Sequence, residues 1–421
     1  MEIIKSLKNR KISPEQVFML SGLIVNAGNY LYNLVLGRVL GPEKFADAAV
    51  LITFLLVISF VAMSFQLVTA KFALAWSSEQ YLVFTKKIFL FSFIVGGALG
   101  GVIVMFSKNL QLFLNTTSSS MFVYFGLGVP FYFLMSVNRG VFQGKKEFIF
   151  LSVTYQIEML SRVIFTFLLL YFLDLDTSAL IAIGIVLSFV FGIFPVKNLK
   201  SLIQQKGVLD KVQKKQIATF FMLTAVYEMT QIVINNSDIL LVKHYFESYE
   251  AGLYASLALI GRMVYFIAWM YVMILLPTVV KLKKEGKETS HVLYKYIGYI
   301  GLISFLIVFV CLLFPSQIIL LLFGDQYLEV GNLLWKYALA TSLFAVSNIF
   351  AYYYLSLDRY FPVLFLALLG VLQVLLIVLF HSSLEQVVHV QILAMFILLV
   401  TQFLYYLIDQ RKSSSVKTSE E

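Results

Sequence analysis

Apolar residues fall in blocks of about twenty, parted by short polar stretches, from one end of the chain to the other. A helix of roughly twenty apolar residues is what it takes to cross the ~30 Å hydrocarbon core of a bilayer. The blocks predict twelve spans, at about 16–36, 45–70, 88–106, 121–138, 148–173, 179–196, 217–242, 251–280, 296–315, 331–355, 361–380 and 387–408. The apolar stretch 316–330 is too short to cross and is expected as a surface or partly re-entrant helix. A transmembrane barrel would instead show ten-residue segments of alternating polarity. The expected fold is therefore an all-α polytopic membrane protein with twelve transmembrane helices.

Composition agrees: 60% of the 421 residues are hydrophobic and only 13% are charged, against roughly a quarter charged in soluble domains. The net charge of +9 raises the question of nucleic acid, and its distribution answers it. With the N-terminus set in the cytoplasm, the outer loops hold five basic residues, Arg38, Lys44, Lys108, Lys243 and Lys336; leaving two mid-span arginines aside, the other twenty-five of the 32 fall on the inner face. That asymmetry is the positive-inside signal. It places both termini in the cytoplasm of a multi-pass protein of the inner (cytoplasmic) membrane and accounts for the basic charge without a nucleic acid partner. The first span is long and lacks a cleavage site behind it, so it reads as uncleaved. A single cysteine, Cys311, and four scattered histidines offer no metal site.

The lysine-rich stretch 197–216 divides the chain into six helices and six. The expected organisation is an N-terminal six-helix bundle over 1–200, a basic cytoplasmic linker over 201–216, a C-terminal six-helix bundle over 217–410 and a disordered cytoplasmic tail over 411–421. Shifting the sequence by 206 positions sets Asn29 on Asn235, Leu34 on Leu240, Ala49 on Ala255 and Leu51 on Leu257. Each half opens with a polar-striped helix, turns through a short charged segment and returns through a helix rich in small residues. An even helix count per half gives repeats related by an axis along the membrane normal, with the substrate site between them. The expectation is a pseudo-twofold repeat around a central cavity.

Polar residues inside the spans are the candidate chemistry. Arg162 and Arg262 sit near the middle of apolar spans, one in each half. A charge at the bilayer centre costs about 2.5–3.5 kcal/mol on the insertion scale, so such residues face a cavity or a partner. Glu158 precedes Arg162 by four residues, the favourable order for an intrahelical pair; the two either neutralise each other or leave Arg162 for an anionic cargo. Arg262 has no acid within four residues, and Glu228 on the preceding span is the partner the sequence offers. In the first span Asn26, Asn29, Tyr30 and Asn33 recur at helical spacing; in the seventh, Glu228, Gln231, Asn235 and Asp238 do the same. The choice is between amides that glue helices and a face that lines a cavity. The substrate-binding candidates are Arg162, Arg262, Asn29, Asn33, Gln231 and Asn235. Glu228, Glu158 and Asp238 are candidates for coupling to protons or sodium, since a desolvated carboxyl takes up a proton more readily. Tyr352–Tyr354 and Tyr405–Tyr406 read as interfacial anchors more readily than as sugar platforms. No nucleotide-binding loop and no catalytic set of side chains appears, and no cofactor is expected.

Four stretches resemble one family: the run Leu36-Gly37-Arg38-Val39-Leu40-Gly41-Pro42-Glu43-Lys44-Phe45; the run from Asn235 to Phe246 continuing into Ala251-Gly252-Leu253-Tyr254; Asn138-Arg139-Gly140-Val141-Phe142-Gln143-Gly144; and Phe323-Gly324-Asp325-Gln326-Tyr327. They are similar to the polysaccharide transporters, the O-antigen and capsule flippases of the larger group that also holds multidrug exporters and the lipid II flippase. The resemblance implies two six-helix bundles around a cationic chamber. The implied cargo is a lipid-linked oligosaccharide on undecaprenyl pyrophosphate, moved to the outer leaflet by alternating access. Membrane lipids, a glycan polymerase and chain-length proteins would be its partners. The eleventh span contains no acid, a departure from the sodium site of the lipid II branch. The competing reading is an ion-coupled multidrug or metabolite exporter of the same fold. A membrane glycan polymerase or ligase would need a larger outer loop, and a scaffold would have no use for buried charge.

Overall fold

The computed structural model describes residues 13–75, 78–196, 207, 209–357, 359 and 361–420. Everything regular in it is helix. The elements are α1 (Pro14–Ala75), α2 (Ser78–Met105), the short α3 (Ser107–Phe113), α4 (Ser120–Gly144), α5 (Phe148–Phe172), α6 (Thr177–Gly192), α7 (Lys211–Tyr245), α8 (Ser248–Lys284), α9 (Ser290–Leu313), the short α10 (Pro315–Leu322), a 3-10 turn (Asp325–Val330), α11 (Gly331–Ser356), α12 (Phe361–Leu379) and α13 (Leu384–Glu420). In hydrocarbon every backbone amide must be bonded within its own segment, which is why each apolar block becomes a helix. Among the described residues seven helices are long and apolar enough to cross a membrane, or eight with the bent α7 taken as one span. The first of them runs for 60 residues, enough for two crossings.

Several helix starts are written into the sequence. The Ser13 hydroxyl accepts from the Gln16 amide while Gln16 Oε1 accepts from the Ser13 amide. Asp210 and Gln213 make the same reciprocal pair ahead of α7, at 2.7 and 3.1 Å. Each satisfies two amides that the first turn leaves without an intrahelical partner. Asp176 caps α6 by accepting from the Ser178 amide.

Two expectations hold and one meets a different outcome. The first two spans are two helical halves of α1 that meet at a break at Gly41, whose φ of 73° only glycine adopts at little cost; Pro42 follows and contributes no amide to the ladder. The apolar stretch 316–330 is indeed short, split between α10 and the 3-10 turn. The tail expected to be disordered over 411–421 instead continues α13 to Glu420; residues 411–420 contain neither proline nor glycine to end the helix.

The chain divides into two compact units that are not contiguous in sequence. Unit 1 holds the chain up to Asn33 together with Phe54–Met229, and unit 2 holds Leu34–Thr53 with the chain from Thr230 onward. The break in α1 therefore belongs to unit 2, and the first half of α7 to unit 1. Of the basic linker, residues 201–206 and 208 lie outside the described residues, and from Lys211 onward it is already α7.

Within unit 2, three of the four signature stretches meet. The Tyr327 hydroxyl donates to the Gly37 carbonyl at 2.7 Å, and the Arg38 guanidinium donates to the Leu321 carbonyl at 2.7 Å. Phe45, Phe323 and Tyr327 stack around one another at 5.1–6.5 Å between centroids. A methyl on Gly252 would stand 1.9 Å from the Pro42 carbonyl oxygen. In unit 1, the fourth stretch packs α4 onto α1: Gly140 and Gly144 face the backbone of Gln66 and Ala70, and Gln66 donates to Gln143 at 2.9 Å. These motifs build helix junctions.

The tyrosines expected at the interface are core instead. Tyr353, Tyr354 and Tyr406 are buried in a cluster with Leu275, Leu293, Ile349 and Phe350. Each phenol finds a polar partner, Thr289, Asp409 and Tyr294 respectively, which is the condition for burying a tyrosine.

Candidate functional site

Among the described residues, each unit holds a buried polar centre of several side chains. In unit 1 it is a carboxylate shared by two guanidinium groups. Arg139, on α4, donates to Glu158 Oε2 at 2.7 Å, and Arg162, one turn beyond Glu158 on α5, donates to Oε1. Both arginines are buried, at 4% and 7% exposure. Arg139 also donates to the hydroxyl and carbonyl of Thr154 and lies 3.8 Å from the centroid of the Tyr155 ring. Arg162 reaches Asn29 Oδ1 at 3.3 Å and the Ser188 hydroxyl at 3.4 Å. Each oxygen of the carboxylate accepts from a different guanidinium group, a charge-assisted pairing of the kind a buried ion needs. The sum of formal charges is +1.

Arg139, one of the twenty-five basic residues counted on the inner face, follows the expected span 121–138 directly and so reads as a cytoplasmic-loop charge. The structure corrects this: the residue lies in the last turns of α4, turned inward by Glu158. The local signal was present in Asn138-Arg139-Gly140, since Asn138 caps carbonyls at Ile193 and Pro195 and Gly140 lets α4 approach α1. Glu158 and Arg162 do neutralise each other, as one of the two sequence readings had it, and Arg139 supplies the surplus charge.

The remaining polar residues of the first span divide. Asn29 and Tyr30 are half-buried, Asn26 is exposed, and Asn33 donates back to the Asn29 carbonyl at 3.0 Å. Glu228 is half-buried in unit 1. Gln231 lies on α7, and its side chain falls outside the described residues.

In unit 2 the centre is Asp238 on α7. Its Oδ2 accepts from Tyr337 at 2.8 Å, Gln391 at 2.8 Å and Tyr254 at 3.0 Å, three donors from α11, α13 and α8. Its Oδ1 accepts no hydrogen bond among the described residues. Beside it is a cavity of about 30 Å³ lined by Asn235, Asp238, Arg262, Tyr337, Gln373 and Gln391, among others, room for a water molecule or two. Arg262 enters from α8. It donates to the Asn235 carbonyl at 2.8 Å and to Asn236 Oδ1 at 3.0 Å. The acid that the sequence offered it, Glu228, is not its partner, and among the described residues Arg262 forms no ion pair. Its Nε, like Gln373 Oε1, makes no hydrogen bond there. Gln373 and Gln391 were missed by sequence reading because neutral amides in a span most often glue helices.

A second buried ion pair lies in unit 2. Lys243 Nζ stands 3.1 Å from Asp47 Oδ1, both side chains 1% exposed, and also donates to the Ser248 hydroxyl. Position had placed Lys243 among the outer-loop charges. Asp47, just past the break in α1, draws it into the protein instead.

Comparison with known proteins fits this architecture. An uncharacterized membrane protein of Haemophilus influenzae is 24% identical over 344 residues, covering 79% of this chain and 80% of that protein. The structure of a multidrug resistance MATE family transporter of the MOP superfamily, inward-facing, superposes with a TM-score of 0.78 at 13% identity over 94% of this chain and 96% of that one. The lipid II flippase MurJ, inward closed, does so with a TM-score of 0.73 at 15% identity over 94% and 87%. Likeness at such identities establishes the shared transporter fold alone. Residues 35–332 match the family described as polysaccharide biosynthesis protein, and with that match over most of its length the chain belongs to the polysaccharide biosynthesis protein family, as a multi-pass membrane protein with the MOP transporter fold.

Proposed function

We propose that this protein is a flippase for a lipid-linked oligosaccharide on undecaprenyl pyrophosphate. It moves the cargo from the cytoplasmic to the outer leaflet by alternating access in the inner membrane, with both termini in the cytoplasm. Membership of a polysaccharide biosynthesis family supports the glycan. The observation that carries the reading is Arg262: a cation on a membrane helix, bonded among the described residues to neutral oxygens alone and lining a polar cavity. In low dielectric such a charge attracts a phosphate far more strongly than in water. Asn235, Gln231, Asn29 and Asn33 are the amides assigned to sugar hydroxyls in this scheme, and the Arg139–Glu158–Arg162 cluster gives unit 1 its own excess of positive charge. A glycan polymerase and chain-length proteins would receive the product.

Coupling is assigned to Asp238. Asp238 and Gln373 line the same cavity as Arg262, and among the described residues Asp238 Oδ1 and Gln373 Oε1 accept no hydrogen bond. A cation there, proton or sodium, removes the negative charge that competes with the cargo for the guanidinium. Glu228 and Glu158 are the secondary candidates, and Glu158 is already committed to two arginines. The competing reading, export of cationic drugs, is disfavoured because in neither centre do acids outnumber bases.

The test is complementation of a deletion strain with Arg262→Ala and Arg262→Lys at matched membrane levels. Surface glycan is expected to be lost with alanine and partly retained with lysine, which keeps the charge without the planar fork. Normal export by Arg262→Ala would remove the anchor from this scheme.

A further inference from the structure

We propose that unit 1 carries a separate binding site for an anionic phospholipid, in a groove between α2 and the opening turns of α7. The site goes beyond cargo transport and does not depend on it. The groove has a volume of about 570 Å³, within the ~300–1,000 Å³ range of ligand sites. On α2 it is lined by Phe84, Lys87, Ile88 and Phe91; on α7, by Lys214, Ile217, Ala218 and Phe221. Both sets follow the spacing i, i+3, i+4, i+7, so each is one continuous helix face. The Phe221 ring packs edge-on against Phe65 at 4.8 Å between centroids, which fixes that wall.

The chemistry of the lining selects the occupant. All of it is apolar except two lysines, and no carboxylate is among the lining residues. Among the described residues neither ammonium makes an ion pair. An apolar groove does not hold ordered water, so its occupant is a hydrocarbon chain. Two ammonium groups on the same walls, with no carboxylate among the lining residues, call for an anionic head attached to that chain. Depth agrees. Lys214 lies in the first turn of α7 and Phe221 about 10 Å further along at ~1.5 Å per residue, the order of head group and chain at a membrane surface. Lys71, which stands 3.7 Å from the Phe220 ring centroid, adds to the local positive field. Together these lysines form the kind of basic cluster that recruits anionic lipid.

The experiment uses the full protein in detergent, titrated with phosphatidylglycerol or phosphatidylcholine and read by native mass spectrometry and thermal unfolding. A one-to-one phosphatidylglycerol adduct with a raised unfolding midpoint is expected, and neither with phosphatidylcholine. In the Lys87→Gln/Lys214→Gln variant the adduct is expected to fall by about thirtyfold, the effect of two lysines near an anionic head. Ala218→Trp, which fills the groove, is expected to abolish it. Equal binding of both lipids, an unchanged adduct in the double variant, or the same shift from glycerol phosphate alone would each overturn the proposal. So would stoichiometric displacement by a polyprenyl phosphate, which would make the groove part of the cargo path.

Discussion

Asp47 and Lys243 form an ion pair at 3.1 Å with both side chains sealed from solvent. The pair joins the segment after the break in α1 to the end of α7, inside unit 2. Removing one partner of a buried pair strands the other charge and costs about 3–5 kcal/mol, whereas replacing both by apolar groups is often neutral. Asp47→Ala and Lys243→Met are each expected to lower the unfolding midpoint of the purified protein sharply. The double variant Asp47→Leu/Lys243→Met should recover most of the loss. Additive losses in the double variant would show that the two residues act separately.

The carboxylate of Glu158 serves two guanidinium groups, so its loss is predicted to be worse than the loss of either arginine. Glu158→Gln leaves two buried cations facing each other, while Arg139→Met leaves a neutral pair. A stability ranking by thermal unfolding should place Glu158→Gln below both single arginine variants. Pairing Glu158→Gln with Arg139→Met should restore part of the difference, a coupling of about 0.5–3 kcal/mol as contacting residues show.

Gly252 and Gly41 are predicted to resist substitution for different reasons. At Gly252 a methyl group would meet the Pro42 carbonyl at 1.9 Å, so α8 must move away from the corner. At Gly41 the cost is conformational, about 1–3 kcal/mol for a side chain held at positive φ. Gly22, around which an added methyl meets nothing within 4 Å, is the control. Expression and unfolding midpoints of the three alanine variants should separate the first two from the third.

Asp238→Asn keeps the shape of the carboxyl and removes its charge. If cation binding at Asp238 drives the cycle, export by this variant should no longer respond to external pH or to sodium. Glu228→Gln should leave the response in place. Measuring export in vesicles with imposed proton and sodium gradients also tells which ion acts. A full response to both gradients in Asp238→Asn would move the coupling site elsewhere.

The sequence by itself determined the helices. Crossing a hydrocarbon layer is a one-dimensional constraint, set by the length of each apolar block, and it leaves twelve helical segments and an all-α membrane fold readable from residue order. It also showed Arg162 and Arg262 as charges that need partners, because the cost of a mid-span cation does not depend on what surrounds it. What the partners are was decided by the tertiary structure. Arg139 and Lys243 were counted as loop charges because they lie near helix ends, where a solvated lysine or arginine is the rule; Glu158 and Asp47, on other helices, bring them inside. Asp238 gathers donors from α8, α11 and α13, residues that no spacing along the chain links to it. The division into units likewise follows packing, with the segment Leu34–Thr53 joining the chain beyond Thr230. Apolar length is a local property of the chain, while the neutralisation of a buried charge is a property of its neighbours in space, and only folding brings those neighbours together.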